Sequence, residues 1–153
     1  MTLQPITPDL ARRIIAREER DGDRWHAEYP FDDELVPLRM LAQNHAPDPV
    51  FTLYMIREKG LAIGGLGFFG PPDETDTVEF GYGLIAAARG RGLASDAVVE
   101  GLRIAASHGA RRAIADTEVV NGASIRVLQK AGFAETERTF QKVHFAKDLQ
   151  HGL

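Results

Sequence analysis

Phe80-Gly81-Tyr82-Gly83-Leu84-Ile85-Ala86-Ala87-Ala88-Arg89-Gly90-Arg91-Gly92-Leu93-Ala94 is the stretch on which the fold turns. Alternating residues predict a strand from about Thr77 to Ile85, which breaks into a glycine-rich turn. The turn opens a segment from Gly92 to His108 in which Leu93, Ala97, Gly101, Leu102 and Ala105 fall at helical spacing, with Gly109 placed to end it. A strand that enters a helix through such a turn either binds phosphate or is simply a solvated strand-to-helix loop. The glycines let backbone N–H groups face an anion, the helix adds its unsatisfied first-turn donors and dipole, and Arg89 and Arg91 add charge. No Lys followed by Ser or Thr comes after the glycines, so the turn is not a P-loop.

Within the strand, Val78, Phe80, Tyr82 and Leu84 share one face and Glu79, Gly81, Gly83 and Ile85 the other. The second face is nearly bare. A carboxylate beside two missing side chains leaves room for a ligand to lie along the strand with a base next to it, or is simply an exposed strand glutamate beside turn-prone glycines.

Working outward, Thr7-Pro8-Asp9 reads as a helix start, and a short helix is predicted around Leu38, Leu41 and Ala42. Strands follow from Val50 to Arg57 and from Leu61 to Phe69, joined by the turn Glu58-Lys59-Gly60. Gly65-Leu66-Gly67-Phe68-Phe69-Gly70 matches a dinucleotide-binding G-x-G-x-x-G literally, but Pro71-Pro72 follows at once, and no helix can begin there. Downstream lie a strand from Ala113 to Val119, a helix from Asn121 to about Lys130 closed by Gly132, and strands near Phe133 and from Val143 to Leu149. Consecutive strands early and alternating elements late predict an α/β (α+β) domain spanning residues 1–153. Its mixed, mostly antiparallel central sheet has about seven strands, with about four flanking helices.

Composition narrows the chemistry. The 153 residues include no cysteine, which excludes disulfides, thiolate metal sites and any intermediate carried on a cysteine sulfur. A net charge of −4 disfavours nucleic acid as a partner. The start carries no basic patch before an apolar run, and no apolar stretch of about 18 residues appears, so a cytoplasmic protein without a membrane partner is expected. His26, His45, His108, His144 and His151 are scattered without metal-ligand spacing, so no metal site is read. Trp25, Tyr29 and Phe31 either line a substrate pocket or anchor a loop. Asn121 reads as a helix N-cap, and Ser124 lacks the nucleophile elbow of a serine hydrolase.

In two places the sequence resembles the GNAT superfamily of acetyl-CoA-dependent N-acetyltransferases. Arg89-Gly90-Arg91-Gly92-Leu93-Ala94 fits the R/Q-x-x-G-x-G/A pyrophosphate signature of that family. The run from Asn121 to Phe133 resembles the N-x-x-S-x-R-V-L-x-K-x-G-F segment of its ribosomal-protein N-terminal acetyltransferase (RimJ/RimL-like) branch. The resemblance implies that acetyl-CoA lies where the sheet splays, between the strand ending at Ile85 and the strand starting near Ala113. Backbone groups of Leu84 and Ile85 would hold the pantetheine arm and stabilise the oxyanion, and N–H groups from Arg89 through Gly90, Arg91, Gly92 and Leu93 to Ala94 the pyrophosphate. Asn121 would meet the pantetheine end, Ser124 would lie near the sulfur and protonate it, and Glu79 would be the base. Many relatives take the acid from a tyrosine where this chain has Leu128. The implied reaction is direct acetyl transfer to a primary amine of a small molecule or a protein N-terminus, with a homodimer as a common assembly. The alternatives are a non-catalytic acyl-CoA sensor or interaction module, and a dinucleotide enzyme built on Gly65 to Gly70.

Overall fold

A computed structural model describes residues 1–149. Its elements run β1 (Thr2–Pro5), α1 (Pro8–Ala16), a 3-10 turn (Asp32–Glu34), α2 (Leu35–Ala42), β2 (Leu53–Glu58), β3 (Leu61–Phe68), β4 (Thr77–Leu84), a second 3-10 turn (Ala86–Ala88), α3 (Leu93–Ser107), β5 (Arg112–Glu118), α4 (Gly122–Lys130), β6 (Ala134–Arg138) and β7 (Lys142–Asp148). One seven-stranded sheet runs β1-β2-β3-β4-β5-β7-β6. All its pairings are antiparallel except β4 with β5. The architecture is the mixed sheet with four helices that the sequence predicts.

Local chemistry sets the boundaries. The Thr7 hydroxyl accepts the Leu10 N–H at 3.1 Å, fixing the start of α1 behind Pro8. β2 starts three residues later than predicted because the Asp48 carboxylate accepts the N–H groups of both Val50 and Phe51 at 2.8 Å. Those amides are therefore committed to a turn before the ladder begins. Lys59 and Gly60, both at positive φ, form the two-residue hairpin that joins β2 to β3.

The sheet separates the helices. Leu66 of β3 packs against Gly101 of α3, and Tyr82, its partner across the ladder, reaches Ser124 of α4, so α3 and α4 cover that face. On the other face Phe31 lies over Gly83 and Glu34 over Gly65, where the segment leading into α2 crosses the sheet. Phe68 binds the core together, edge-on to Phe51 at 5.4 Å and tilted against Phe80 at 6.5 Å.

The feature that positions the site is a ladder that stops short. β4 pairs with β5 only through Thr77, Val78 and Glu79, opposite Arg112, Ala113 and Ile114. Beyond Glu79 the two strands part, although β4 stays paired with β3 as far as Leu84.

Candidate active site

The parting of β4 from β5 leaves one edge of β4 without a ladder partner. Ile85 donates its N–H to the Ile63 carbonyl at 2.9 Å, and the Glu79 carbonyl accepts the Phe69 N–H at 2.9 Å, so odd-numbered positions turn their backbone groups to β3. By alternation the backbone groups of Tyr82 and Leu84 point into the gap. Leu84, one of the two positions singled out in the sequence, thus turns its backbone groups into the gap. Ile85 does not: its N–H is taken by Ile63 and its carbonyl accepts the Ala88 N–H at 3.1 Å. A donor or acceptor for a ligand in the gap must come from Leu84 or Tyr82 instead.

Below the gap runs a groove of about 470 Å³. Its floor is the glycine turn and the start of α3. Gly90 and Gly92 hold φ of 83° and 78°, which a side chain would strain. Gly92 caps α3 with no side-chain acceptor, so the first-turn N–H groups from Leu93 to Ser95 are left to bind whatever enters the groove. Helix dipole and free donors together favour an anion there. On the opposite wall Asn121 caps α4 by accepting the Ser124 N–H at 3.0 Å, and Arg126 and Lys130, four residues apart on one helix face, both line the groove. The Arg89 Nε donates to the Leu84 carbonyl at 3.2 Å, which ties the glycine turn to the strand end. Arg91 is not among the lining residues, because its guanidinium is engaged by the Glu58 carboxylate at 2.9 Å. The positive charge of the groove therefore comes from Arg89, Arg126 and Lys130, not from Arg89 and Arg91.

A hydroxyl pair closes the gap between strand and helix. Tyr82 Oη lies 2.8 Å from Ser124 Oγ, and both line the groove. Burial raises the Tyr82 pKa, and the bond to Ser124 partly offsets it, so the phenol holds its proton at neutral pH. Leu128 is fully buried in the core and contributes nothing to the groove.

The other predicted residues are more spread out. Glu79 is exposed and outside the groove, four residues before Gly83, or roughly 13 Å along the strand. The strand face that reads as bare is covered in the structure. The Phe31 ring fills the space where a Gly83 side chain would be, and the Phe69 ring lies 3.5 Å from a Cβ placed on Gly81. Of the aromatic trio only Phe31 lines the groove, whereas Tyr29 is buried and Trp25 half-buried outside it. His26, His45, His108 and His144 stay apart, and His151 lies outside the described residues. Sequence reasoning missed Tyr82, Arg126 and Lys130 as groove residues. The helical spacing of Arg126 and Lys130 was a usable signal, whereas the Tyr82 role needed the distance to Ser124.

Three comparisons bear on this geometry. The profile of the acetyltransferase (GNAT) domain family matches residues 1–134. No curated protein matches the chain significantly. Among solved structures it superposes on RimL, a ribosomal L7/L12 alpha-N-protein acetyltransferase in complex with coenzyme A, with a TM-score of 0.72 at 15% identity over 98% of this chain and 94% of that one. A ribosomal-protein-alanine N-acetyltransferase from Brucella melitensis gives 0.66 at 21% identity over 97% and 100%. A chimera of the Vibrio cholerae spermidine N-acetyltransferase SpeG with hSSAT gives 0.70 at 16% identity over 95% of each chain. At these identities the likeness is one of fold.

Proposed function

Because the chain belongs to the GNAT acetyltransferase family, we propose that this N-acetyltransferase carries the acetyl group of acetyl-CoA directly to a primary amine, supplied by a small molecule or a protein N-terminus. The observation that supports the donor side is the broken β4–β5 ladder opening onto uncapped α3 donors flanked by Arg89, Arg126 and Lys130. In this reading the Leu84 and Tyr82 backbone holds the pantetheine arm and supplies the oxyanion donor, with Asn121 at the arm's end. Gly90, Gly92, Leu93 and Ala94 cradle the pyrophosphate. The absence of cysteine leaves a ternary complex with direct attack as the route. The nitrogen attacks the thioester carbon, the C–S bond breaks with its electron pair on sulfur, and the thiolate takes a proton from Ser124. The Ser124 hydroxyl is replenished by Tyr82. Glu79 accepts the proton released by the nitrogen through water. The cytoplasm and a homodimer are the proposed setting. Among the described residues no helix is long and apolar enough to cross a membrane.

The deciding experiment is calorimetry with acetyl-CoA followed by thiol release over an amine panel that includes polyamines and peptides beginning with Ala or Ser. Binding with turnover on at least one amine is expected; binding without turnover on any would favour a sensor, and no binding would remove the groove assignment. Two variants sharpen it. Lys130→Ala is expected to weaken acetyl-CoA binding about fivefold, with the loss shrinking as salt rises, because it removes one exposed charge from the phosphate wall. Tyr82→Phe keeps the ring but breaks the relay, and is expected to lower kcat about tenfold while leaving acetyl-CoA affinity unchanged. An unaltered kcat in that variant would leave Ser124 to protonate the sulfur alone.

A further inference from the structure

Among the described residues, Glu34 is the buried charged side chain that the fold does not explain. It is 4% exposed, and both carboxylate oxygens lack any hydrogen-bond partner. Two more orphaned polar atoms lie in the same segment, the Tyr29 hydroxyl and the Trp25 Nε1, with the two rings 6.5 Å apart. Tyr29 is close enough to Glu34 that the carboxylate charge adds to burial in raising its pKa. Leaving buried polar groups without partners is costly, so a cluster of this kind is unfavourable unless something it binds repays it.

Its position says what that is. Glu34 lies on Gly65, and a Cβ there would come within 2.6 Å of its Oε1. Gly65 is the ladder partner of Gly83, on the strand segment that borders the gap. The Glu34 carboxyl is thus one strand spacing, about 5 Å, from the Gly83 position, whereas Glu79 is roughly 13 Å along the strand. The Phe31 ring occupies the Gly83 position between them and also lines the groove. Asp33 lines the groove as well, so one carboxylate faces the approach to this corner.

Resting on the acetyl-transfer reading above, we propose that Glu34 and Tyr29 form the receptor for the reacting nitrogen, which is a primary ammonium group when it arrives and reaches them as the Phe31 ring moves off Gly83. Two carboxylate oxygens and a hydroxyl oxygen match the N–H donors of an ammonium, and the flanking aromatic faces favour a cation over a neutral or anionic group. Docking of the ammonium displaces the Glu34 proton to solvent, and the carboxylate so formed takes one proton from the ammonium, freeing the lone pair that forms the C–N bond. A second proton leaves the nitrogen toward Glu79 as the C–S bond breaks, and the thiolate gains one from the Tyr82–Ser124 pair. Solvent receives the Glu79 proton and restores one to the hydroxyl pair, and Glu34 ends protonated as it began, giving amide, CoA thiol and one net proton. Burial pushes the Glu34 pKa up to about 8, nearer that of an amine, which suits a proton handed between the two. The titratable and charged groups around it are Tyr29, Arg57 of β2, whose charge acts on Tyr29, and the outward-turned Asp32 and Asp33.

The test uses the full chain with the best amine from the panel. Glu34→Gln is expected to lower kcat/KM for the amine about 30-fold or more, with the acetyl-CoA dissociation constant unchanged, and Glu34→Asp to recover part of the loss. In the wild-type chain, the Glu34 carboxyl carbon signal by NMR is expected to move toward the ionised value when the amine is added, a readout available even if the variant fails to fold. A Glu34→Gln protein with unchanged kcat/KM, or a carboxyl signal blind to the amine, overturns the receptor and leaves water as the partner of these atoms. A wild-type chain whose Glu34 signal answers the amine but which binds no acetyl-CoA would keep the amine site and overturn acetyl transfer instead.

Discussion

Glu79→Gln is expected to lower kcat by about 10² or more at neutral pH while sparing acetyl-CoA affinity, because the amide keeps the shape of the side chain and removes its ability to take a proton. Glu79 is exposed on β4, away from the groove walls that hold phosphate. Its loss therefore falls on proton transfer and leaves donor binding intact. The distance along the strand from Glu79 to Gly83 requires a water to carry the proton, so the pH dependence of kcat is the decisive measurement. An unchanged profile would remove Glu79 from the mechanism. The two carboxylates separate in kinetics: Glu79→Gln lowers kcat and kcat/KM together with KM for the amine unchanged, whereas Glu34→Gln also raises KM for the amine.

Much of this was legible in the sequence because it is written in local chemistry. The strand, glycine turn and helix from Thr77 to Ser107 follow from alternation, positive-φ glycines and helical spacing within about 30 residues, and the predicted order of elements is the observed one. The Asn121 cap is equally local. What was not legible depends on elements meeting across the sheet. Arg91 reads as a phosphate ligand until β2 brings Glu58 to it. Ile85 reads as a backbone donor until its ladder partner on β3 proves to be Ile63. Gly81 and Gly83 read as a bare face because nothing in their own strand indicates that Phe69 and Phe31 will cover them. Glu34 is the extreme case: Asp32-Asp33-Glu34 looks like a solvated helix entry, and only the absence of a side chain at Gly65, some thirty residues away in sequence, lets the third of these carboxylates lie buried on the sheet.

That dependence on close approach makes Gly64→Ala the substitution with the largest expected structural effect. A Cβ on Gly64 would overlap the Gly83 carbonyl oxygen and come within 2.8 Å of Leu84 Cδ2 and 3.1 Å of Leu84 Cα. Two of these three atoms are backbone and cannot rotate away, so β3 and β4 must separate at the last ladder pair before the glycine turn. A forced overlap of this kind costs about 3 kcal/mol, which for a chain of this length lowers Tm by roughly 6–12 °C. Gly67→Ala is the matched control, because its Cβ would meet only Leu53 Cδ1, at 3.1 Å, on a side chain able to yield. Its expected cost is within about 1 kcal/mol. Thermal unfolding of the two variants checks the packing, and acetyl-CoA calorimetry checks its consequence for the site. Displacing Leu84 moves the backbone groups turned into the gap and, through the Leu84 carbonyl, the Arg89 anchor of the glycine turn. Gly64→Ala is therefore expected to weaken acetyl-CoA binding as well as stability, and Gly67→Ala to do neither. Equal Tm values in the two variants would mean that β3 and β4 do not approach as drawn, and a destabilised Gly64→Ala protein with undiminished acetyl-CoA affinity would separate the groove from the strand end proposed to organise it.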